Sequence, residues 1–554
     1  MTETLNIAQR LRDSAEQYPF QRAVVYPAGR AESGRRTYSH LTFEQLDQES
    51  DRLARGIFRM GVTPGTRLVL MVRPGLEFIA LTFALFKAGA VIVLIDPGMG
   101  RSNIFRCLEK VEPDGFVAAP IIQAIRAFYV SRFRNARYNI TVGGRRWFWN
   151  GLTYKQVLGG AWQPFEMTPT KVNDPAAIIF TSGSTGPPKG VLYEHGMFDA
   201  QVDLLRNFYN IQPGEIDLPG FPLFALFNSA MGVTTVIPDM DPTIPAQVDP
   251  EKIIEAIADQ GITQAFGSPA IWNRVGQYCE EKGINIPSIK RVLSAGAPVP
   301  IHVCQRIRKI LTTSGADLHT PYGATESLPI ASISASEVLD RTAEKSRRGA
   351  GTCVGRTFPK IRLKIIEIID EPIASFVAIH ELPRGEIGEI IVQGPVVTRE
   401  YFRSSEETTA AKIPDGNRFW HRMGDVGYLD KDGCLWFCGR KTHIVVTQYG
   451  RMFTVPCEAI FNEHPRIFRN ALVGVGQKPK QNPVIIVEPD HGQFPSNGAE
   501  RMRFEQELRD LAIGNPLTIC IDTFLFRRTL PVDTRHNVKI LRERLAPWAV
   551  QQLG

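Results

Sequence analysis

Apolar and polar positions alternate with a helical period early in the chain. Thr42 and Gln45 fit a capping box, because a threonine hydroxyl and a glutamine three residues later can satisfy the free amides of a helix start. The apolar side chains that follow lie on one stripe, which predicts an amphipathic helix that covers a sheet. They are Leu46, Leu53, Ala54, Ile57 and Phe58.

Two continuous apolar runs flank a segment of helical length further along. The runs are residues 68–72 and 91–95, and residues 76–87 between them end before Gly89, a residue type that commonly stops a helix. This order predicts one strand–helix–strand unit. Because strands buried on both faces consist of unbroken apolar runs, we expect a mostly parallel sheet covered by helices.

The same alternation predicts three more buried strands, at residues 176–180, 264–267 and 291–294. Each of them runs into a turn rich in glycine, serine or proline. Loops at the carboxyl ends of strands are where open α/β sheets bind ligands, so these turns are candidate parts of a binding site.

The length of the chain and a change in its texture predict more than one domain. A chain of 554 residues is too long for one hydrophobic core, since cores stop growing at about 250–300 residues. We expect an α/β fold with a large N-terminal domain, residues 1–440, in which a small β subdomain occupies about 361–440. Residues 441–554 are predicted to form a smaller α+β domain.

Composition and charge narrow the class of protein. Apolar residues make up 43% of the chain and charged residues 22%, values that exclude wholesale disorder. The net charge of +7 is spread over 64 basic and 57 acidic side chains, which is too dilute to indicate nucleic-acid binding. We therefore expect no nucleic-acid partner, and an anionic small substrate suits the charge equally well.

Cysteine spacing and hydropathy give expectations about location. The eight cysteines lack the paired spacing of a zinc site or a disulfide framework. The first residues carry acids and no apolar core of a secretory signal. Glu77 and Lys87 interrupt the most apolar stretch, residues 76–95, and leave uncharged runs of nine and eight residues, shorter than the roughly 20 apolar residues of a membrane span. We expect a cytoplasmic protein without a transmembrane segment.

One segment, residues 126–149, is both basic and aromatic. A solvated face or a partner-docking surface is the interpretation that we favour, because charge runs are usually solvated. Contact with a membrane surface or an acyl chain is the alternative.

A stretch of small and hydroxyl side chains ends in a lysine and follows a predicted strand. Small residues let backbone amides approach a polyphosphate, hydroxyls add donors, and the lysine adds a positive charge, so the stretch is a candidate phosphate cradle. An ordinary turn is the alternative, because the order of residues is not that of a Walker loop. The candidates are Thr181, Ser182, Gly183, Ser184, Thr185, Gly186 and Lys189.

The sequence SGSTGPPKG at 182–190 resembles the signature loop of the AMP-forming acyl-adenylating superfamily, which includes acyl-CoA synthetases, luciferases and peptide-synthetase adenylation domains. Other motifs follow in the order of that superfamily over nearly the whole chain. They are SAGAP at 294–298, YGATE at 322–326, GEIGEI at 385–390, GD at 424–425, GR at 439–440 and KILR at 539–542.

The resemblance implies ATP and Mg²⁺ as cofactors and a role for each matching residue. Glu326 and Thr185 would hold Mg²⁺, Asp425 would accept the two ribose hydroxyls with Arg440 nearby, and Lys539 would be the adenylation lysine. The implied catalytic residues are Lys539, Glu326, Thr325 and Lys189. The implied nucleotide contacts besides the phosphate cradle are Gly296, Ala297, Pro298, Tyr322, Gly323, Ala324, Thr325, Asp425, Arg440 and Lys539.

Some positions depart from the superfamily pattern. Met423 stands before Gly-Asp where a threonine is common, Ala225 follows a Pro-Leu-Phe that acyl-CoA ligases often continue with histidine, and Thr442 and His443 occupy the hinge. Because the ligases rotate a mobile C-terminal domain about that hinge to admit CoA, these departures argue against a thioester step rather than against adenylation.

Together with their surroundings, the departures resemble the β-lactone synthetases of bacterial long-chain olefin biosynthesis. The segments concerned are 221–227, 237–242, 421–428, 439–443 and 531–539. This resemblance implies that a 2-alkyl-3-hydroxy fatty acid and ATP give a β-lactone, AMP and pyrophosphate, with other olefin-biosynthesis enzymes as possible partners. In this interpretation, residues 221–227 are a candidate wall of a dry acyl pocket, and plain core is their alternative role.

Other functions stay open at this point. A fatty acyl-CoA or acyl-AMP ligase would use a plain fatty acid, and a catalytically silent scaffold would bind nucleotide only. The presence of Lys189, Glu326, Asp425 and Lys539 favours an enzyme. Three histidines are candidates to take the proton of the substrate hydroxyl, none ranked above the others: His421, His443 and His536.

Overall fold

The computed structural model describes residues 4–181, 187–221, 224–533 and 539–554. Its N-terminal sheet has seven strands, parallel except for the last pair. In spatial order the strands are Leu152–Thr153, Tyr138–Thr141, Gly115–Ala118, Arg67–Met71, Val91–Leu94, Pro175–Thr181 and Lys189–Glu194.

The strand–helix–strand unit predicted from the apolar runs is present in this sheet. Strands Arg67–Met71 and Val91–Leu94 pair in parallel, and helix Leu76–Lys87 connects them. The capping box is also confirmed, since the Thr42 hydroxyl accepts from the Gln45 amide and the Gln45 side chain accepts from the Thr42 amide. Helix Phe43–Arg59 follows it and buries the predicted stripe except for Phe58, which is exposed.

A second, longer sheet contains fourteen strands within the described residues. Strands from Arg22–Arg30 to Asp317–Ala324 run parallel, and the strands beyond them are antiparallel. In spatial order the strands are Arg362–Ile366, Gly388–Gln393, Arg418–Leu429, Leu435–Arg440, Thr352–Thr357, Ser327–Ser334, Asp317–Ala324, Arg291–Ser294, Gln264–Gly267, Ile216–Pro219, Thr234–Val236, Arg22–Arg30 and Arg36–Thr42, and Lys412–Asp415 pairs beside Arg418–Leu429.

The predicted strands at 264–267 and 291–294 match two neighbours of this sheet, and residues 176–180 lie in the N-terminal sheet. The predicted β-rich texture after 361 corresponds to the antiparallel end of the long sheet. The long sheet thus combines a parallel part, where connections cross over through helices, with an antiparallel part built of consecutive strands.

Helices cover both sheets. The α-helices before residue 320 are Gln9–Gln17, Phe43–Arg59, Leu76–Lys87, Arg101–Val111, Pro120–Phe128, Tyr154–Leu158, His195–Phe208, Phe224–Ala230, Pro250–Gln260, Pro269–Lys282 and Ile301–Ile310. Those after it are Ala335–Glu337, Ala343–Lys345, Ser405–Ala411, Thr454–Asn462, Gly498–Ile513 and Arg542–Leu553.

The C-terminal region has separate sheets and its own core. Val445–Thr447 and Gly450–Met452 form a hairpin, and Ile467–Val475, Asn482–Pro489 and Thr523–Phe526 form a three-stranded sheet. The last strand of the long sheet ends at Arg440, and a buried cluster that includes Phe461 and Phe504 packs behind the three-stranded sheet. The division into domains at residues 440 and 441 stays a prediction. No helix among the described residues is long and apolar enough to cross a membrane.

Candidate active site

A large cavity lies where the carboxyl ends of strands from both sheets meet, and residues of the C-terminal region close one side of it. Its volume is about 2840 Å³, far above the roughly 300–1,000 Å³ of a typical small-ligand pocket. The cavity is bordered by twelve of the residues predicted to bind the nucleotide or carry catalysis: Lys189, Gly296, Ala297, Pro298, Tyr322, Gly323, Ala324, Thr325, Glu326, Asp425, Arg440 and Lys539.

Asp425 is the centre of a short hydrogen-bonded network. It lies in the part of the cavity that contains the predicted nucleotide contacts, which we call the nucleotide end. Its Oδ2 accepts a hydrogen bond of 2.6 Å from the Tyr322 hydroxyl, and its Oδ1 accepts one of 2.6 Å from Arg440. Asp425 and Arg440 are directly opposite each other on neighbouring antiparallel strands, so the sheet itself fixes their pairing. The carboxylate is buried and held from two sides.

The two side chains that donate to Asp425 both have raised pKa values. Burial and then the charge of Asp425 hold the pKa of the Tyr322 phenol well above its usual value. The Asp425 carboxylate in turn raises the pKa of the Arg440 guanidinium. Both neighbours therefore remain protonated at neutral pH and can donate to the Asp425 carboxyl group.

Glu326 lies in a second polar group of the same cavity. Its Oε1 accepts a hydrogen bond of 2.8 Å from the Tyr401 hydroxyl, and its backbone oxygen accepts one of 2.9 Å from the Thr398 amide. Lys189 Nζ lies 5.1 Å from the centre of the Tyr401 ring. One tyrosine therefore connects the predicted metal carboxylate with the predicted phosphate lysine.

Backbone geometry shapes the remaining nucleotide contacts. Gly296 has φ of 95°, a conformation that favours glycine and lets the chain turn sharply after strand Arg291–Ser294. The Thr325 carbonyl accepts a hydrogen bond of 2.6 Å from the Tyr193 hydroxyl, so the backbone oxygen is occupied and the residue is held from behind.

Lys539 enters the cavity from the C-terminal region. Its carbonyl accepts a hydrogen bond from the Asp533 amide, and Val532 and Ile540 form an isolated bridge beside it. Burial and then the neighbouring charge of Arg440 lower the pKa of the Lys539 ammonium. The structure thus brings this lysine near Asp425 and Arg440, although both of them lie far before it in the sequence.

Part of the predicted phosphate cradle lies outside the described residues. Ser182, Gly183, Ser184, Thr185 and Gly186 belong to that part, and Thr181 is the last residue of strand Pro175–Thr181. His536, one of the candidate bases, and Pro222 and Leu223 of the predicted acyl wall lie outside them as well.

The other two candidate bases border the cavity in different surroundings. Burial and then the charge of Lys412 hold the pKa of His421 well below its usual value. Burial, followed by Arg542 and other cations, lowers the pKa of His443 to about 3. Both imidazoles are therefore neutral near pH 7, a state that can accept a proton.

Sequence motifs did not point to Lys412, Tyr401 or Thr398. Lys412 is buried, its Nζ lies 3.1 Å from Nδ1 of His421, and it also donates to the Thr398 carbonyl. Burial lowers the pKa of Lys412 to about 7, while Glu326 opposes the shift. These residues carry no motif of their own, and the folding of strand Lys412–Asp415 beside Arg418–Leu429 brings them together.

Another part of the cavity, which we call the apolar end, is lined by aromatic side chains. Four phenylalanines, which we call the aromatic wall, border it: Phe221, Phe224, Phe227 and Phe266. Phe224 stacks on Phe266 with ring centroids 3.8 Å apart, and its centroid lies 5.7 Å from that of Phe227. The described part of the predicted wall therefore both packs in the core and faces the cavity.

Ion pairs hold the connection between the long sheet and the C-terminal region. Lys441 Nζ lies 3.1 Å from Oε2 of the buried Glu389, which also accepts from Arg422 at 2.7 Å. In the C-terminal region, Arg542 donates to both oxygens of Glu458 at 2.6 Å. The second pair anchors the helix that follows Lys539.

A family model described as "AMP-binding enzyme" matches residues 11–402. The chain belongs to this family. The matched range contains the phosphate cradle, the glycine turn at Gly296 and the YGATE motif, whereas Asp425, Arg440 and Lys539 lie beyond it. It confirms the predicted resemblance to AMP-forming adenylating enzymes and makes this chain an AMP-forming ligase.

Two relatives are similar to this chain over its full length. The chain is 46% identical to a protein named olefin beta-lactone synthetase from Xanthomonas campestris, over 100% of this chain and 99% of the relative. It is 44% identical to a protein of the same name from Stenotrophomonas maltophilia, with the same coverage. The predicted resemblance to this subfamily is thereby confirmed.

Solved structures share the fold. A crystal structure of ATP-bound MatB from Rhodopseudomonas palustris matches with a TM-score of 0.77 and 19% identity, over 100% of both chains. The likeness shows that the two sheets and the C-terminal region of this AMP-binding enzyme form a known architecture.

Proposed function

We propose that this protein is an olefin β-lactone synthetase. It would convert a 2-alkyl-3-hydroxy fatty acid and ATP into a β-lactone, AMP and pyrophosphate, in the course of long-chain olefin biosynthesis. The observation that carries the proposal is the full-length identity of 46% with an enzyme of that name. The cavity supports it, because a polar nucleotide end and an apolar end meet in one space.

In the first step, a substrate carboxylate oxygen attacks the α-phosphorus of ATP, and pyrophosphate leaves. Anions approach each other in this reaction, so the transition state needs cations and donors where charge accumulates. Lys539 and Lys189, which both border the cavity, supply positive charge, and Asp425 accepts the ribose hydroxyls. The product is an acyl adenylate.

The residues around Glu326 fit Mg²⁺. Carboxylate, hydroxyl and phosphate oxygens are the ligands that this ion prefers, and Glu326 presents its carboxylate to the cavity beside the Tyr401 hydroxyl. Glu326 with Thr185 would hold the ion, which would offset the charge of the phosphates when bound. Tyr401 orients the carboxylate.

In the second step, the 3-hydroxyl oxygen of the substrate attacks its own carbonyl carbon, AMP leaves, and the hydroxyl proton passes to a base. His443 and His421 are neutral acceptors that border the cavity, and we rank neither above the other. A four-membered ring is strained, so the site has to fold the substrate into a near-attack geometry. The aromatic wall would exclude the water that otherwise hydrolyses the adenylate.

The competing function is a long-chain fatty acyl-CoA ligase, which would make the same adenylate and then need CoA. The lactone itself is a reactive product, so an enzyme that decarboxylates it is the expected neighbour in the pathway. Other olefin-biosynthesis enzymes are therefore the partners that we propose.

The experiment is a reaction with ATP, Mg²⁺ and a racemic 2-alkyl-3-hydroxy acid, with and without CoA. We expect AMP, pyrophosphate and a β-lactone that NMR identifies, all without CoA. The matched control acid lacks the 3-hydroxyl and should be adenylated without giving a lactone. A requirement of AMP release for CoA, with a thioester as product, would contradict the proposal.

A further inference from the structure

The apolar lining of the cavity comes from two separate hydrophobic clusters. The aromatic wall belongs to the large cluster between the sheets. A second group, which we call the second arm, belongs to the cluster that packs on the N-terminal sheet. The residues of this group, which line the second arm of the cavity, are Ile104, Phe105, Leu108, Phe116, Ile122 and Phe133.

The second arm lies between two helices and the carboxyl ends of two strands. Ile104, Phe105 and Leu108 come from helix Arg101–Val111, and Ile122 comes from helix Pro120–Phe128. Met71 and Val72, at the end of strand Arg67–Met71, also border the cavity on the way to the nucleotide end. The arm is thus continuous with the adenylation site.

Rings line the arm, and two nearby arginines are paired with polar side chains. The Phe116 and Phe133 centroids lie 5.3 Å apart, and those of Phe105 and Phe133 lie 6.4 Å apart. Arg126 donates to Gln123 and Asn150, and Arg132 pairs with Glu109 at 2.8 Å. A space with such a lining suits an alkyl chain, since apolar cavities do not hold water well.

The arm opens at the protein surface. Ile121 is 67% exposed, Ile125 40% and Tyr129 44%, and all three border the cavity. A chain that enters the arm therefore meets no closed end. This also refines the predicted basic and aromatic segment, in which Arg126 and Trp149 are buried while Phe128 and Trp147 are exposed.

A plain fatty acid has one chain, whereas the acid of the proposed function has two alkyl chains on adjacent carbons. We propose that the second arm binds one of these two chains while the aromatic wall contacts the other. The inference rests on the proposed function. It assigns the residues of the second arm as determinants of specificity for branched, two-chain acids.

The test uses three acids: one with long chains at C2 and C3, one with the C2 chain cut to methyl, and one with the C3 chain cut to methyl. Ile104→Trp narrows the arm at a half-buried position. Each methylene that leaves an apolar site costs about fourfold in affinity. We expect kcat/KM for the two-chain acid to fall by more than about tenfold.

For one of the trimmed acids, the one whose missing chain would have filled the arm, Ile104→Trp should stay within about twofold of the wild type, because a methyl group needs no arm. Arg106→Trp is the matched control. It places the same side chain on an exposed position of the same helix, one that does not border the cavity.

Equal losses in kcat/KM with all three acids, or no loss with any of them, would contradict the assignment of the second arm. If the wild type gave lactone while the losses in kcat/KM were equal, the proposed function would be supported and the assignment of the second arm would be wrong. If the wild type gave no lactone from any of the acids, the proposed function would fail first.

A direct readout complements the kinetics. A two-chain acid that carries a diazirine at the end of one chain, photolysed on the wild-type enzyme, should label peptides within residues 101–133 for one of the two placements. Labelling of the region around 221–227 with both placements would contradict the assignment of the arm.

Discussion

The nucleotide end and the apolar end of the cavity are built from different kinds of contact. At the nucleotide end, two hydrogen bonds of 2.6 Å join Tyr322 and Arg440 to Asp425. At the apolar end, Phe224 and Phe266 stack at 3.8 Å as part of a continuous apolar surface. Contacts at the nucleotide end depend on hydrogen-bond direction and charge, whereas contacts at the apolar end depend on the shape and volume of the side chains.

Because of this difference, substitutions at the two ends should have different effects on the kinetics. A directional contact requires a particular residue type, so its loss should affect ATP and every acid alike. An apolar surface tolerates exchange between large side chains, so its changes should depend on the chain of the acid. Variants can therefore separate the two ends by whether the effect follows the nucleotide or the acid.

The largest expected effect is that of Lys539→Ala at the nucleotide end. Removal of one preorganised group that stabilises transition-state charge costs about 10²–10³ in rate, so exchange of labelled pyrophosphate into ATP should fall by about that factor. ATP binding, measured by calorimetry, should persist, because the other phosphate and ribose contacts remain. Lys480→Ala, an exposed lysine of the same region, is the control. An unchanged exchange rate would show that Lys539 does not stabilise the transition state of adenylation.

Asp425→Asn should have the next largest effect. The change removes the charge that Arg440 faces, and hydrogen bonds to charged groups contribute roughly 1.5–3 kcal/mol each. We expect KM for ATP to rise by about tenfold or more with every acid tested. Asp432→Asn is the control, because Asp432 is exposed and pairs with Arg341 only at 3.6 Å.

If Asp425→Asn raised KM for the acid and left KM for ATP unchanged, the division between the two ends would be wrong. A thermal melt of the same variant separates a local effect on binding from a loss of folded protein.

Phe224→Ala should affect the apolar end alone. Removal of a ring from the aromatic wall should lower kcat/KM for a long-chain acid by about tenfold, with KM for ATP unchanged. Phe208→Ala is a matched control, since Phe208 stacks on Phe358 at 4.0 Å but does not border the cavity. A similar loss with long-chain and short-chain acids would indicate that Phe224 supports the fold rather than the substrate.

The last expected effect is on stability rather than on rate, and it is a dependence of the free energy of unfolding on pH at Lys412. A lysine with a pKa of about 7 when folded and about 10.4 when unfolded binds fewer protons in the folded state between these values. The free energy of unfolding of the wild type, relative to Lys412→Met, should therefore rise with pH from about 7 to about 10. Urea titrations at several pH values measure this difference.

Lys431→Met, at an exposed position, should show no such dependence. Parallel pH curves for wild type and Lys412→Met would mean that Lys412 stays protonated in the folded protein. The nucleotide end would then contain one more permanent cation near Glu326.

Local signals in the sequence determined much of this protein. The capping box at Thr42, the apolar runs around helix Leu76–Lys87 and the strands Gln264–Gly267 and Arg291–Ser294 all follow from periods and turn residues that act over a few positions. The nucleotide motifs are similarly short, because backbone turns such as that at Gly296 and paired charges require fixed residue types.

Only the tertiary structure decided which distant side chains surround those motifs. Tyr401 donates to Glu326 across 75 positions of sequence, and residues of helices Arg101–Val111 and Pro120–Phe128 border the same cavity as Glu326. Apolar packing and partners from distant strands leave no pattern in the chain, since many residue types fill a given volume equally well. The sequence therefore determined the residue types of the predicted nucleotide site, while the packing of helices against the two sheets decided which apolar side chains border the same cavity.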